Sequence, residues 1–264
     1  MMSTSTRKIA VVTGASSGIG AVYADRLAKR GYDLVLVARR ADRLQALAAK
    51  IAATHGVKVE PLTADLESEA GQASVAQLLA TNPAVSVLVN NAGLARLAPI
   101  AGSAWQDSLS QIALNITALT RLSHAVLPGL KARKEGAIIN VASVLALHSL
   151  PISSVYSGTK AFVLAFSRGL QQELADSGVR VQAVLPAATA TELWDQSGVP
   201  LAALDPKAVM STEDMVDAAL LAFDQGEQVT MPSVAETETI DRFESARAAL
   251  FATSQTGKVA PRLQ

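Results

Sequence analysis

The sequence predicts an α/β fold in which a doubly wound parallel sheet carries helices on both faces. Short apolar runs alternate with helical segments along most of the chain, which is the pattern of repeated βαβ units. The runs, such as residues 34–38, are continuously apolar, as expected for strands that are covered on both faces. The 264 residues contain no linker and no internal repeat, so we expect one domain over residues 1–264.

The elements follow in regular order. The predicted strands are residues 8–13, 33–38, 57–62, 85–89, 137–141, 179–185 and 229–231. The predicted helices are residues 21–30, 41–53, one within 67–79, a long one at 104–133, then 155–175 and 212–224. Pro128 predicts a break in the long helix, because proline lacks the N–H that a helix interior uses. We expect a core at about 8–185, an irregular lid at about 187–210, and a C-terminal strand and tail at about 229–264.

Composition excludes several classes of protein. The net charge is zero and no basic cluster stands out, which argues against nucleic acid or an anionic membrane as a partner. The absence of cysteine excludes disulfides and thiolate sites, and the three histidines (His55, His124 and His148) are too scattered to predict a metal site. No charge-free apolar run approaches the ~18 residues that span a bilayer. The N-terminus shows no apolar leader, so a cytoplasmic location is expected.

A glycine-rich turn joins the first strand to the first helix. Backbone N–H groups at such a helix start bind phosphate. Gly14 permits the tight turn, Gly18 lets a pyrophosphate approach, and Gly20 lets the helix pack closely on the strand. The predicted cofactor site also contains Ser16, Ser17 and Ile19 from this turn. The alternative is an ordinary strand-to-helix turn, since the spacing differs from the commoner G-x-G-x-x-G.

Tyr156 and Lys160 stand four residues apart, so they share one face of a helix. An ammonium beside a phenol is expected to lower the pKa of the tyrosine and to fit it for proton transfer to a carbonyl or alcohol oxygen. Ser143 follows the fifth strand, where it faces the ligand crevice of a parallel sheet. The alternative assigns Tyr156 to packing and Lys160 to solvent. A serine hydrolase is disfavoured, because no base and acid partner accompany Ser143.

These motifs together resemble the short-chain dehydrogenase/reductase family. Thr13-Gly14-x-x-x-Gly18-x-Gly20, Asn90-Asn91-Ala92-Gly93, Asn115, Ser143 and Tyr156-x-x-x-Lys160 stand in the family's order from about residue 8 to residue 231. The resemblance implies a Rossmann-like domain with Asn115, Ser143, Tyr156 and Lys160 as catalytic residues. It further implies that Asn115 lies at a helix irregularity whose carbonyl holds a water beside Lys160.

The choice of cofactor is predicted from the end of the second strand. NAD-binding folds place an acidic residue there to hold the ribose 2′-hydroxyl. This chain has Arg39 and Arg40, which suit the 2′-phosphate of NADP(H), with Arg39 the stronger candidate and Arg40 assisting. The alternative is a pair of solvated arginines.

Further cofactor contacts are implied by the resemblance. Asp65 is expected at the adenine amino group and Leu66 on the ring, although Asp65 as a helix N-cap needs no function. The remaining positions are Asn91, Ala92 and Gly93 along the adenosine ribose, Tyr156 and Lys160, and Pro186, Ala187, Thr189 and Thr191 near the nicotinamide. Ala187 replaces the family's usual glycine, which is expected to restrict the backbone there.

The predicted function is hydride transfer between NADP(H) and a carbonyl or alcohol. The substrate pocket is expected to contain Leu94, Val144, Leu145, His148, Leu193 and Trp194, which suits a hydrophobic ketone or aldehyde. The alternatives are reduction of a carrier-bound 3-oxoacyl group and a non-catalytic NADP(H)-binding sensor.

A homotetramer or homodimer is expected from the helix at 155–175. Its apolar residues, among them Phe162, Phe166 and Leu170, circle the helix, so two of its faces need covering. The alternative is that the segment after Glu236 covers the second face within one chain.

Overall fold

The computed structural model describes residues 7–264 and divides into two compact units. The first ends at Pro232 and the second begins at Ser233. The first unit contains β1 (Ile9–Thr13), α1 (Gly18–Lys29), β2 (Asp33–Ala38), α2 (Ala41–His55), β3 (Val59–Thr63), α3 (Glu69–Thr81), β4 (Val85–Asn90), α4 (Trp105–Ile112), α5 (Leu119–Arg133), β5 (Gly136–Val141), α6 (Ser154–Glu173), β6 (Val179–Val184), α7 (Thr212–Asp224) and β7 (Val229–Thr230). The second unit contains α8 (Thr237–Ser254), which has no buried side chain.

All seven strands form one parallel sheet in the order β3-β2-β1-β4-β5-β6-β7. The order reverses between β1 and β4, where the crossover helices change from one face of the sheet to the other. Ligands bind outside the carboxyl ends of the strands at such a reversal. The predicted Rossmann-like fold class is therefore confirmed.

Two apolar layers cover the sheet. One layer packs α1, α2 and α7 on one face, with Tyr23, Leu44 and Met215 fully buried. The other packs α3, α5 and α6 on the opposite face, around Leu122 and Ile138. Burial on both faces explains why the strand sequences are continuously apolar, and it makes the sheet a firm support for the loops at its carboxyl edge.

The long helix predicted at 104–133 differs from expectation in one respect. Pro128 lies inside α5 and does not break it. Its side chain is exposed, as is His124 one turn earlier, so water can hydrate the carbonyl that loses its helical partner. The interruption lies instead at Ala113–Ala118, a π-helical turn between α4 and α5. This turn contains Asn115, so the predicted helix irregularity is confirmed.

No helix within residues 7–264 is both long enough and apolar enough to cross a membrane. Side chains of His, Asp and Glu in the same range form no group of three that could hold a metal ion.

Candidate active site

A cleft of about 500 Å³ opens at the carboxyl ends of β1 to β6. Its walls come from the loops that follow these strands, from α6, and from the segment after β6. The site is thus assembled from residues distant in sequence that the strand order brings to one edge.

The glycine turn between β1 and α1 is shaped for close approach. Gly14 and Gly18 have φ values of +65° and +54°, which favour glycine. A Cβ on Gly20 would lie 2.4 Å from the Gly14 carbonyl oxygen, so only glycine fits there. No side chain caps the start of α1, which leaves its first amides available to a phosphate. These features fit the pyrophosphate of a dinucleotide.

The loop after β4 is fastened to β1. The Thr13 hydroxyl accepts hydrogen bonds from the backbone N–H groups of Asn91 and Ala92, both at 3.0 Å. The Asn91 side chain donates to the Thr13 carbonyl at 2.9 Å. The Asn91 side chain therefore holds the loop on β1, and Asn91, Ala92 and Gly93 all line the cleft as predicted.

Asn115 connects three segments from within the π-helical turn. Its Oδ1 accepts from the Leu94 N–H at 3.0 Å, and its Nδ2 donates to the Leu94 carbonyl at 2.9 Å and to the Thr159 hydroxyl at 3.0 Å. The loop after β4 and helix α6 are thereby held at fixed positions beside the cleft.

Tyr156, Lys160 and Ser143 meet at one end of the cleft. Ser143 and Tyr156 are joined by a side-chain hydrogen bond. The Lys160 Nζ donates to the Val141 carbonyl at 2.9 Å and lies 5.7 Å from the centre of the Tyr156 ring. The structure therefore brings the four predicted catalytic residues together, with Asn115 fixing the helix that carries two of them.

The expected lowering of the Tyr156 pKa is not found in this structure. Burial raises the pKa of Tyr156 to about 12, although the Ser143 hydrogen bond opposes this rise. Burial likewise lowers the pKa of Lys160 to about 8. Desolvation outweighs the attraction between ammonium and phenolate, because both groups lose water and the ammonium points at a carbonyl.

Arg39 and Arg40 both line the cleft but have different partners. The Arg40 guanidinium donates to the hydroxyls of Ser16 at 2.9 Å and Ser17 at 2.7 Å. Arg39 forms an ion pair with Glu67 at 2.8 Å. Arg40, which was expected only to assist, is thus the arginine tied to the glycine turn.

Asp65 and Leu66 line the cleft as predicted, but Asp65 is not the N-cap of α3. That cap is Ser68, whose hydroxyl accepts from the Gly71 N–H at 3.1 Å. Asp65 instead accepts from the Glu67 N–H at 3.0 Å in a short turn. The helix starts later than the sequence indicated, because Ser68 satisfies its first amides.

The segment after β6 forms the remaining wall. Pro186, Ala187, Thr189 and Thr191 line the cleft, and Pro186 accepts from the Val144 N–H at 3.0 Å. Ala187 needs no glycine conformation, since Lys134 is the one non-glycine residue in the described range 7–264 with a positive φ. The stretch predicted to be a lid also contains a 3₁₀ turn at Glu192–Gln196, and the Trp194 indole donates to the Thr189 carbonyl at 2.8 Å.

The geometry can be compared with known proteins. Residues 8–199 match the family model described as short chain dehydrogenase. The chain belongs to the short-chain dehydrogenase/reductase family. Members of this family are oxidoreductases that act on CH–OH groups. Ser143, Tyr156 and Lys160 therefore line a cleft in a protein of an oxidoreductase family, and Asn115 holds the helix that carries two of them.

Solved structures of this family cover nearly the whole chain. A short-chain dehydrogenase from Sphingobium yanoikuyae in complex with NADPH is 44% identical, with 97% of this chain and 99% of that chain covered and a TM-score of 0.93. The bulky-bulky ketone specific alcohol dehydrogenase from Comamonas testosteroni is 36% identical, with 97% and 98% covered and a TM-score of 0.88.

Curated relatives of this family are longer. The very-long-chain 3-oxoacyl-CoA reductase-A of Danio rerio is 35% identical over 190 residues, which are 70% of this chain. The match spans 59% of the length of that relative.

Five of the six residues predicted for the substrate pocket line the cleft. Leu94, Val144, Leu145, Leu193 and Trp194 line the cleft. His148 is a correction: it is exposed and does not line it, because the chain turns outward after the 3₁₀ turn Val144–Ala146. The sequence analysis missed Leu150, Leu97, Leu204, Arg96 and Gln196. The sequence could have indicated these residues only through their position in loops next to the predicted motifs.

Because the ammonium of Lys160 is buried, we predict that replacing Lys160 raises the stability of the protein while it abolishes activity. Lys160 is 5% exposed, and the difference between pKa values of 10.5 and about 8 corresponds to about 3 kcal/mol of destabilisation below pH 8. Lys160→Met removes this cost but leaves the Val141 carbonyl unpaired, which costs about 1 kcal/mol. We expect the variant to be inactive and to melt a few degrees higher at pH 7.

The gain in stability of Lys160→Met over the wild type depends on pH. It should have its full value below pH 8, where the wild-type lysine is charged in the folded and the unfolded state. It should disappear as the pH rises past 10.5, because the lysine is then neutral in both states. Melting curves from pH 6 to 10.5 measure it, with the exposed Lys131→Met as the matched control. A lower melting temperature at pH 7 would contradict the assignment of a costly buried charge.

Proposed function

We propose that the chain is an NADP(H)-dependent carbonyl reductase or alcohol dehydrogenase that acts on hydrophobic ketones or aldehydes. The observation that carries the proposal is the arrangement of one continuous cleft. It has Arg39 and Arg40 at one end, the glycine turn between, and Tyr156 with Ser143 and Lys160 at the other. The NADPH complex of the Sphingobium relative supports the choice of cofactor.

The chain's own residues supply binding and proton transfer. When bound, the nicotinamide donates or accepts the hydride. Ser143 holds the substrate oxygen against Tyr156, whose hydroxyl donates its proton as the carbonyl becomes an alcohol. A high pKa keeps Tyr156 protonated and ready to donate at neutral pH. Lys160 is positioned to stabilise the resulting phenolate and to contact the nicotinamide ribose, and Asn115 is proposed to hold the water that returns the proton.

The substrate side of the cleft favours apolar molecules. Leu94, Leu150, Leu193 and Trp194 line it, and Arg96 is already engaged with Asp107 at 3.4 Å. The Comamonas relative is specific for bulky-bulky ketones, which supports a substrate with two large substituents, and the apolar lining favours apolar ones. The Danio relative raises the alternative of a 3-oxoacyl thioester.

A substrate panel with NADPH separates these candidates. We expect kcat/KM for ketones with two bulky apolar groups to exceed that for small ketones and for a 3-oxoacyl-CoA by about tenfold or more, because additional buried apolar surface raises transition-state binding. Highest activity on the CoA thioester would instead favour the 3-oxoacyl reductase. No turnover of any carbonyl in the panel would favour the NADP(H)-binding sensor.

Tyr156→Phe tests the proton donor. The variant loses only the phenolic oxygen, so we expect kcat to fall by about 10²–10⁴-fold while the Kd for NADPH changes by less than about twofold. Tyr32→Phe removes the same atom from a tyrosine that does not line the cleft, and it should keep full activity. A Tyr156→Phe enzyme with wild-type kcat would remove Tyr156 from the mechanism.

We further propose a homotetramer or homodimer that pairs α4 and α6 with their copies. Trp105 is 70% exposed on α4, and Phe162 on α6 is 37% exposed and stacks on Phe166 with ring centres 5.8 Å apart. A two-fold contact would cover this apolar surface. A cytoplasmic location stays a prediction, which cell fractionation would test.

Light scattering measures the assembly. We expect a mass that is a multiple of 27.4 kDa, lowered by Phe162→Lys at micromolar concentration. Leu221→Lys on α7, at the other face of the sheet, should leave the mass unchanged. A wild-type mass of one chain would contradict the proposal and favour coverage by the C-terminal segment.

A further inference from the structure

Glu192, the first residue of the lid turn, carries two ion pairs that the reaction does not require. Its Oε2 accepts from the Arg40 guanidinium at 2.7 Å, and its Oε1 accepts from the Arg43 guanidinium at 2.7 Å. Each carboxylate oxygen thus binds one arginine. Both arginines come from the start of α2, so the carboxylate joins the lid to the helix that follows the second strand.

The contact of Glu192 with Arg40 lies within the cofactor cleft, and Arg43 is attached to it through the same carboxylate. Arg40, Glu192, Ser16 and Ser17 all line it, and Arg40 bonds the two serines while it bonds Glu192. The lid carboxylate therefore sits among the groups expected to hold an anion. A carboxylate and a phosphate monoester accept the same charge-assisted bonds from guanidinium, so they compete for it.

The charges of this region are nearly balanced by the protein itself. Arg39, Arg40 and Arg43 bring three positive charges, and Glu67 and Glu192 bring two negative charges in direct ion pairs with them. The two arginines hold the pKa of Glu192 below its usual range, so its carboxylate is ionised at neutral pH. An incoming 2′-phosphate would meet arginines that already have partners, and a like charge on Glu192.

We propose that Glu192 is a specificity-determining residue whose carboxylate competes with the 2′-phosphate of NADP(H) for Arg40 and Arg43. The inference rests on the proposed NADP(H) function and adds a residue that limits the affinity for the phosphorylated cofactor. NADH carries no 2′-phosphate, so it leaves the Glu192 ion pairs in place.

The position of Glu192 couples this competition to the lid. The far end of the lid turn is attached to the loop after β4, where Leu97 N–H donates to the Ser197 carbonyl at 2.6 Å and Arg96 bonds Gln196. Displacement of Glu192 releases the attachment to α2 and leaves the attachment to the loop after β4. A 2′-phosphate ligand should therefore loosen the lid turn, whereas a ligand without this phosphate should not.

Binding titrations of Glu192→Gln test the competition. The probes are NADPH and 2′,5′-ADP, which carry the 2′-phosphate, and NADH and 5′-AMP, which lack it. Glutamine keeps the size and a carbonyl acceptor but removes the charge. We expect the Kd for NADPH and 2′,5′-ADP to fall by about fivefold or more and that for NADH and 5′-AMP to change by less than about twofold.

Asp195→Asn is the matched control. Asp195 lies in the same turn and carries the same charge. If the effect is a contact at Arg40 and Arg43, and not the general charge of the lid, this control should leave all four Kd values within about twofold. Hydrogen exchange gives a second readout: 2′,5′-ADP should speed exchange at residues 193–197 in the wild type and have no such effect in Glu192→Gln.

The outcomes separate the inference from the proposed cofactor. Equal Kd values for NADPH and NADH in the wild type would count against NADP(H) preference but would not alter the comparison between variant and wild type. A Glu192→Gln variant that binds all four probes more weakly would show that Glu192 holds the lid over the cofactor, which overturns the competition. Unchanged affinity for the 2′-phosphate probes would overturn it as well.

Discussion

The reaction site depends on the hydrogen bonds of one buried amide, that of Asn115. This side chain bonds both polar groups of the Leu94 backbone and the Thr159 hydroxyl, so it holds the loop after β4 against α6. Because α6 carries Tyr156 and Lys160, its position decides where the proposed proton donor lies. Asn115 makes all three bonds from within a π-helical turn. Asparagine is a poor residue for the interior of a regular helix, and its presence here is explained by these bonds. A local irregularity of the backbone is thus tied directly to the placement of Tyr156 and Lys160.

Desolvation governs the chemistry at the same end of the cleft. Lys160 and Tyr156 both have pKa values shifted toward their neutral forms, and the shifts have the same cause. The opposite expectation, in which the ammonium lowers the tyrosine pKa, considers the charge pair without the loss of water. Charge that develops during the reaction is worth more in such an environment than in water, since little solvent screens it. The protein therefore tolerates an unfavourable ammonium in the free state, and under the proposed mechanism this ammonium stabilises the phenolate that proton transfer creates.

The sequence was sufficient for the fold and for bringing together the residues that we propose to be catalytic, because both depend on strong local patterns. Continuous apolar strands and ordered motifs fixed the sheet and brought Ser143 and Tyr156 to its carboxyl edge. It was insufficient where a residue's role depends on distant neighbours. Pro128 was tolerated because it faces solvent, and His148 points away because the chain turns after a short 3₁₀ helix. The contacts of Arg40 with the glycine turn cross 23 and 24 positions of sequence, which no local pattern encodes.

The two ends of the cleft use charge in different ways. Around Lys160 the charge is buried and has a carbonyl for a partner, so its energy depends on solvent exclusion. Around Arg40 the charges are partly exposed and paired, so each ion pair contributes little to stability and can be exchanged for another anion at small cost. Exchangeable pairs suit a site that must admit and release a highly charged cofactor. The lid spans both regions, with Glu192 at the arginines and Trp194 on the apolar wall. If Arg40 exchanges Glu192 for another anion, the change can therefore reach the apolar wall around Trp194. The connecting segment has short turns and is held by polar bonds, so it can move when one of them is lost.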